Sequence, residues 1–248
     1  MKSTDKNRLQ SDVIKSPGNQ RREFLKKGMA LGTLAGISGI SLLSGCNEEA
    51  EEEVTPTEDL MREHGLLNRI LLIYDTCKLH LINNETFNPD ALNQSANIIR
   101  TFIEDYHEKL EEDFLFPRFE KANQMTGLVK ILRSQHLAGR DLTNRIIQFS
   151  KMNSIETSDE KQNLIHLLND FNYMYRPHEA REDTVLFPAL KKIVSENEYD
   201  ALGEDFEHKE HELFGEDGFD MMVDKVADIE KQLGIYDLSL FTPVIKNM

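Results

Sequence analysis

Two stretches of the chain carry the same set of metal-capable side chains. Residues 107–119 read HEKLEEDFLFPRF and residues 178–190 read HEAREDTVLFPAL. Each offers His-x-x-x-Glu, an acidic residue directly after that Glu, and a closing Leu-Phe-Pro. A lone histidine stands upstream of each, His64 lying 43 residues before His107 and His136 lying 42 before His178. Self-similarity on this scale marks a duplicated structural unit. A four-residue step puts each His and its Glu one turn apart on the same helix face. Two such pairs and two single histidines give four imidazoles and two carboxylates. Two ionised carboxylates in an apolar layer would be severely destabilising without partners, and a pair of divalent cations resolves that. Carboxylates can bridge two metals while imidazoles hold the outer positions, a ligand set that suits iron, manganese or zinc. The candidate ligands are therefore His64, His107, Glu111, His136, His178 and Glu182. Glu108 and Glu179 also repeat. One residue from the histidines, about 100° round the helix, they read equally as terminal ligands or as solvated or supporting groups.

Helices must position these groups, and the apolar pattern supplies four. Leu60, His64, Leu67, Leu71 and Tyr74 form one stripe at helical spacing, on a helix expected to open near a cap at Thr57. A second helix opens at Asn88-Pro89, carries Ile99, Ile103, His107, Leu110 and Phe114, and is expected to stop before Pro117. The third spans about 126–150 with Leu128, Leu132, His136, Gly139, Thr143 and Ile147 in register. The fourth carries Leu164, Leu167, Leu168, Phe171, Tyr175, His178, Glu182 and Val185 and is expected to stop before Pro188. No segment alternates like a strand. The reading is an all-α antiparallel four-helix bundle over residues 57–192, followed by a C-terminal helical extension over 193–248. Two further helices are expected at about 196–214 and 219–233, and Leu238, Leu240 and Phe241 are expected to pack back onto the bundle. At 1.5 Å per residue, His64 lies about 10 Å into the first helix, and Glu111 and His107 lie about 8 and 13 Å from the end of the second. The second half repeats these depths, so antiparallel neighbours put all six side chains in one layer.

Other residues of the same types read as bystanders. His80 sits at a helix end, His166 is about 18 Å from His178 along its helix, and His208 and His211 lie among glutamates on a surface face. Tyr106, adjacent to His107, and Tyr175, one turn before His178, are placed to donate hydrogen bonds near the site, with core packing the expected role. Pro177, inside the fourth helix, should bend it, and the bend either aims His178 or opens a path for a small ligand.

On these residues the sequence resembles the hemerythrin-like, or HHE cation-binding, family. The resemblance implies a non-haem di-iron centre, with manganese or zinc as lesser alternatives. His64 and His107 would bind one iron and His136 and His178 the other, with Glu111 and Glu182 bridging. Oxygen-carrying hemerythrins use a fifth histidine four residues after the third, where this chain has Arg140. The departure favours reaction with a small ligand (O2, NO or a peroxide) over reversible carriage of oxygen. Two alternatives stand beside it: a di-iron oxidase or ferroxidase-type enzyme, and a structural metal-binding interaction domain. A ferritin-type site is disfavoured because it needs Glu-x-x-His on two helices, and only Glu104 to His107 offers that spacing.

The first 45 residues read as an address. Residues 19–26, NQRREFLK, followed by a modestly apolar run to Leu43, resemble a twin-arginine export signal. Residues 43–46, LSGC, resemble a lipoprotein box with Cys46 as the lipidated residue. The expected protein is exported by the twin-arginine machinery and held at a membrane by an N-terminal lipid, with an acidic linker over residues 46–56. The whole chain carries −15, and −20 without the first 45 residues, which argues against nucleic acid as a partner. Cys77 is the only cysteine besides Cys46, so neither a disulfide framework nor a thiolate site is available. The redox partner is not legible.

Overall fold

Thr55, two residues before the expected cap, starts the first helix. Its hydroxyl accepts from Glu58 N at 3.4 Å, the Glu58 carboxylate accepts from Thr55 N at 2.9 Å, and Pro56 takes the first helical position. That reciprocal box and the proline, which needs no partner for a missing N–H there, outweigh a cap at Thr57. The structure, a computed structural model, describes residues 54–244 apart from 87, 152–154 and 156. The signal and Cys46 lie outside the described residues.

Helix α1 is Pro56–Asn83, and α2 runs over 89–121 from a cap at Asn88. Helix α3 is Thr126–Ser150, and α4 runs over 158–190 from a capping box of Thr157 and Glu160. Helices α5 (Glu196–Phe214) and α6 (Gly218–Gln232) complete the extension. Among the described residues there is no strand. The fold is all-α, as the stripes require.

Side-chain pairs fix the directions of the helices. From His64 through Asn68 and Leu71 to Asn84, α1 meets Asp183, Glu179, Asn172 and Lys161 in descending order, so α1 and α4 are antiparallel. Arg100 meets Asn144 and Glu112 meets His136, which makes α2 and α3 antiparallel too. Helix α6 is tied to α1 by a forked pair, Arg69 Nε and Nη2 on the two oxygens of Glu230 at 3.0 and 2.6 Å, and by Arg62 lying over the Phe219 ring.

Neither Pro117 nor Pro188 ends its helix. In each copy the turn before the proline widens to π geometry, over Glu111–Leu115 in α2 and Glu182–Leu186 in α4. Phe116 N then reaches back five residues to Glu111 O, and Phe187 N to Glu182 O. Proline lacks the next donor, and the carbonyl of Glu112 takes a hydrogen bond from Arg133 Nη2 instead. The rods therefore continue to Lys121 and Leu190. Each widened turn contains one extra residue, which moves the buried face along by one. Leu115, Phe116, Leu186 and Phe187 are buried, while Phe114 and Val185, the positions a regular helix would bury, are only half-buried.

Most remaining core positions fall where the stripes place them, with Leu60, Leu67, Leu71, Tyr74, Ile99, Ile103, Leu110, Leu164, Leu168 and Phe171 all buried. At the two ends of α3, however, Leu128 and Ile147 are only half-buried and their neighbours Val129 and Ile146 are buried instead. The closing stretch does not pack back. Gly234, at φ 71°, turns the chain out of α6, and Asp237 caps a 3₁₀ turn, Leu238–Phe241. That turn leaves Leu238, Leu240 and Phe241 exposed.

Candidate metal centre

One layer of the bundle contains all six expected ligands, each at most 4 % exposed. Each of the four imidazoles directs one nitrogen, Nε2, toward a central carboxylate. His64 Nε2 lies 3.5 Å from Glu182 Oε2, and His178 Nε2 lies 3.1 Å from the same atom. His107 Nε2 lies 3.9 Å from Glu111 Oε1, and His136 Nε2 lies 3.3 Å from Glu111 Oε2. Donor atoms of Glu111, His136, His178 and Glu182 all fall within 4.8 Å of one another, and so do those of His64, His107 and Glu111. These two groups share Glu111, and Glu182 also faces His64, so the carboxylates lie between two pairs of histidines.

The other ring nitrogen, Nδ1, is held in every case. Glu63 Oε2 lies 2.6 Å from that of His107, and Gln135 Oε1 lies 3.0 Å from that of His178. Asp183 Oδ1 lies 2.7 Å from that of His64, and Glu112 Oε1 lies 3.1 Å from that of His136. Carboxylate and amide oxygens accept, so the proton belongs on Nδ1 and the lone pair of Nε2 faces the centre. Such partners orient a metal-bound imidazole and raise its basicity.

This wiring follows the repeat. The residue before each lone histidine, Glu63 or Gln135, holds the paired histidine of its own half. The residue after each central glutamate, Glu112 or Asp183, holds the lone histidine of the other half. Only the acidic residue after the central Glu had been singled out in the sequence. Extending the alignment one residue upstream of the lone histidines would have found the other pair.

The polar atoms at the centre lack partners of their own. Both oxygens of Glu111, both of Glu182 and Nε2 of His136 are buried, and none makes a hydrogen bond of proper geometry within the described residues. Groups left in that state cost several kcal/mol. Burial, and then the facing charge of Glu182, pushes Glu111 well above the usual carboxylate range. Burial also works against the charge of Glu182, but the histidines around it, His178 first, hold it below that range. The two facing acids thus titrate as a pair, with the proton favoured on Glu111. Burial keeps His107 and His136 neutral, and for His107 the other three histidines add to the effect. Four imidazoles with an inward nitrogen and two central carboxylates are the donor set that two divalent cations take, so the residues present fit the implied group.

Glu108 and Glu179 are buried rather than solvated, at 1 % and 3 % exposure. Glu108 accepts from the Tyr175 hydroxyl at 2.7 Å and pairs with Arg140 at 2.8 Å. Tyr175 therefore does more than pack, and Tyr106, packed between Phe102 and Phe214, has its hydroxyl next to the Glu63 carboxyl. Glu179 accepts from Asn68 at 2.9 Å, and burial pushes its carboxyl up to about 8. Glu108 approaches His136 together with Glu112, while Glu179 joins no such group of donors. Glu104 lies beside Arg100 at 2.9 Å and likewise joins none. His166, His208 and His211 are exposed and join no group of donors among the described residues. Pro177 lies inside α4, one residue before His178, and Tyr173, whose carbonyl it cannot serve, is exposed.

Comparison with known sequences adds a family. Residues 55–190 match the model of the hemerythrin HHE cation-binding domain. The chain belongs to the hemerythrin HHE cation-binding family. Proteins of Mycobacterium tuberculosis (strain H37Rv) and Mycobacterium bovis, both described as uncharacterized, are each 46 % identical to it over 223 residues, covering 84 % of this chain and 88 % of theirs. No solved structure matches the chain.

In this HHE domain the guanidinium of Arg140 is turned aside from the central carboxylates. Its Nη2 contacts Glu108 and Glu112, both at 2.8 Å, and lies one turn from His136 on α3. Burial works against the charge of Glu112, but hydrogen bonds from His136, Lys109 and Arg140 hold that carboxyl well below its ordinary range. Around the layer, Phe187 stacks on His64 and Phe116 on His136, both at 5.5 Å. Among the described residues no helix is long and apolar enough to cross a membrane.

Proposed function

We propose that this HHE domain is a non-haem di-iron protein that binds or reacts with a small ligand such as O2, NO or a peroxide. The observation that carries the reading is the set of inward-facing Nε2 atoms around two buried carboxylates that have no other partners. His64 and His107 would hold one iron, His136 and His178 the other, and Glu111 and Glu182 would bridge. Iron held there supplies one-electron chemistry toward small oxygen and nitrogen ligands.

The protein's own part is to orient, to exclude water and to hold protons. Each Nδ1 partner locks its imidazole so that Nε2 stays inward. The stacked rings of Phe116 and Phe187 keep the layer apolar. Arg140 supports reaction over reversible carriage, because it stands where a fifth histidine would serve a carrier and is engaged with carboxylates instead. A di-iron oxidase is the second reading, and the Tyr175 hydroxyl on Glu108 favours it by holding a proton at Oη beside the centre.

The reading includes export and a lipid anchor at Cys46, supported by the twin arginine and the LSGC stretch. Cys46→Ala should release the protein from the membrane fraction.

Iron content with optical spectra of the full-length protein tests the centre. Two irons per chain and a band that changes on adding oxygen, nitric oxide or peroxide are expected. A reversible change with oxygen indicates carriage, and turnover of an added electron donor indicates an oxidase. Protein prepared with iron present that retains none would sink both.

A further inference from the structure

Three of the four Nδ1 partners are carboxylates and one is a neutral amide. His107 has a carboxylate behind it, Glu63, and its counterpart His178 has the neutral amide of Gln135. The lone histidines also differ in degree. Asp183, one-third exposed, serves His64. Glu112 serves His136 but divides its charge between that ring, Lys109 and Arg140. Glu111 and Glu182 face both pairs of histidines, so the difference between the positions falls on the imidazoles.

A carboxylate behind Nδ1–H draws the proton and leaves more electron density on Nε2, and a neutral amide does so less. We propose that Gln135 makes the two metal positions unequal, so that the one held by His136 and His178 is electron-poor and binds its divalent cation more weakly than the one held by His64 and His107. This rests on the two-metal reading above. The electron-poor ion is the stronger Lewis acid, so Gln135 also determines which position a small electron-donating ligand meets first.

The test is an anaerobic titration of full-length apo-protein with ferrous iron against a competing chelator. Two unequal dissociation constants are expected. His136→Ala should retain the tighter one and His64→Ala the weaker one. Gln135→Glu, at a half-buried position, should tighten the weaker constant about tenfold or more and leave the tighter one in place. Glu63→Gln should weaken the tighter constant about 10–100-fold. The proposal is overturned if Gln135→Glu moves neither constant, if it moves both equally, or if His64→Ala retains the tighter one. Wild-type protein that takes up no iron, or one ion per chain, overturns the two-metal reading itself, and this inference falls with it.

Discussion

Tyr175 reaches Glu108 through the space left by Gly139. A β-carbon at that position of α3 would overlap the tyrosine hydroxyl, which donates to the Glu108 carboxylate at 2.7 Å. The absent side chain is thus part of the polar network beside the centre. Gly139→Ala should cost about 1–3 kcal/mol or more, because the ring and α3 must both shift in a packed core. Chemical denaturation of the apo-protein measures it. Tyr175→Phe, which keeps the ring and removes only the hydrogen bond, should cost about 1 kcal/mol.

The two halves of the centre should separate on metal analysis. His136→Ala removes a ligand from one position only and should lower bound metal by about one ion per chain. His208→Ala, on an exposed face of α5, should lower it by none. Equal loss in both variants would count against the layer described above.

Burial raises Glu63, Glu108 and Glu111 well above the carboxylate range, and Glu179 to about 8. A carboxyl raised on folding adds stability that is complete below its unfolded value, near 4.5, and is lost as pH rises through the folded one. The histidines held low, His107 and His136, act oppositely, but only up to their unfolded value of 6.5. Between pH 7 and 9 the carboxyls dominate, and buried Cys77 adds to the same fall as pH nears its unfolded value of 9.0. The melting temperature of the apo-protein should therefore fall by about 5 °C, the size of a one to two kcal/mol change in a chain this long. Glu179→Gln should flatten that slope. Metal affinity should run the other way and rise with pH, because Glu111 must give up its proton to serve as a ligand.

Arg140→Ala leaves Glu108 buried with only the tyrosine hydroxyl as partner. Removing one member of a buried pair costs about 3–5 kcal/mol. The partial exposure of Arg140 puts the expected value at the lower end, about 3. A protonated Glu108 needs the arginine less, so the loss should shrink from pH 8 to pH 5, as urea denaturation at the two pH values would show.

Much of the fold could be read in advance because its signals are local. His64 and Tyr74 share a stripe with the leucines of α1, and His136 shares one with Gly139 and Thr143 of α3, so burial of the stripe brings the ligands inward. The widened turns were not legible. Leu-Phe-Pro reads as a helix stop when a regular helix is assumed, because proline cannot donate to the previous turn. A turn whose donor stands five positions after its acceptor removes that conflict, and no residue type announces it. The partners of Nδ1 were only half legible. The repeat marks Glu112 and Asp183 but not what they touch, because Asp183 reaches His64 across 119 positions of sequence.

The crosswise contacts bear on ancestry and assembly. Glu112 of the first half serves a histidine of the second, and Asp183 of the second serves one of the first. Neither half could complete its own sphere alone, yet two identical copies of one half, related by a two-fold axis, could complete both. The present chain has the wiring of a fused homodimer, and Gln135 is where it no longer keeps the symmetry such a dimer would impose.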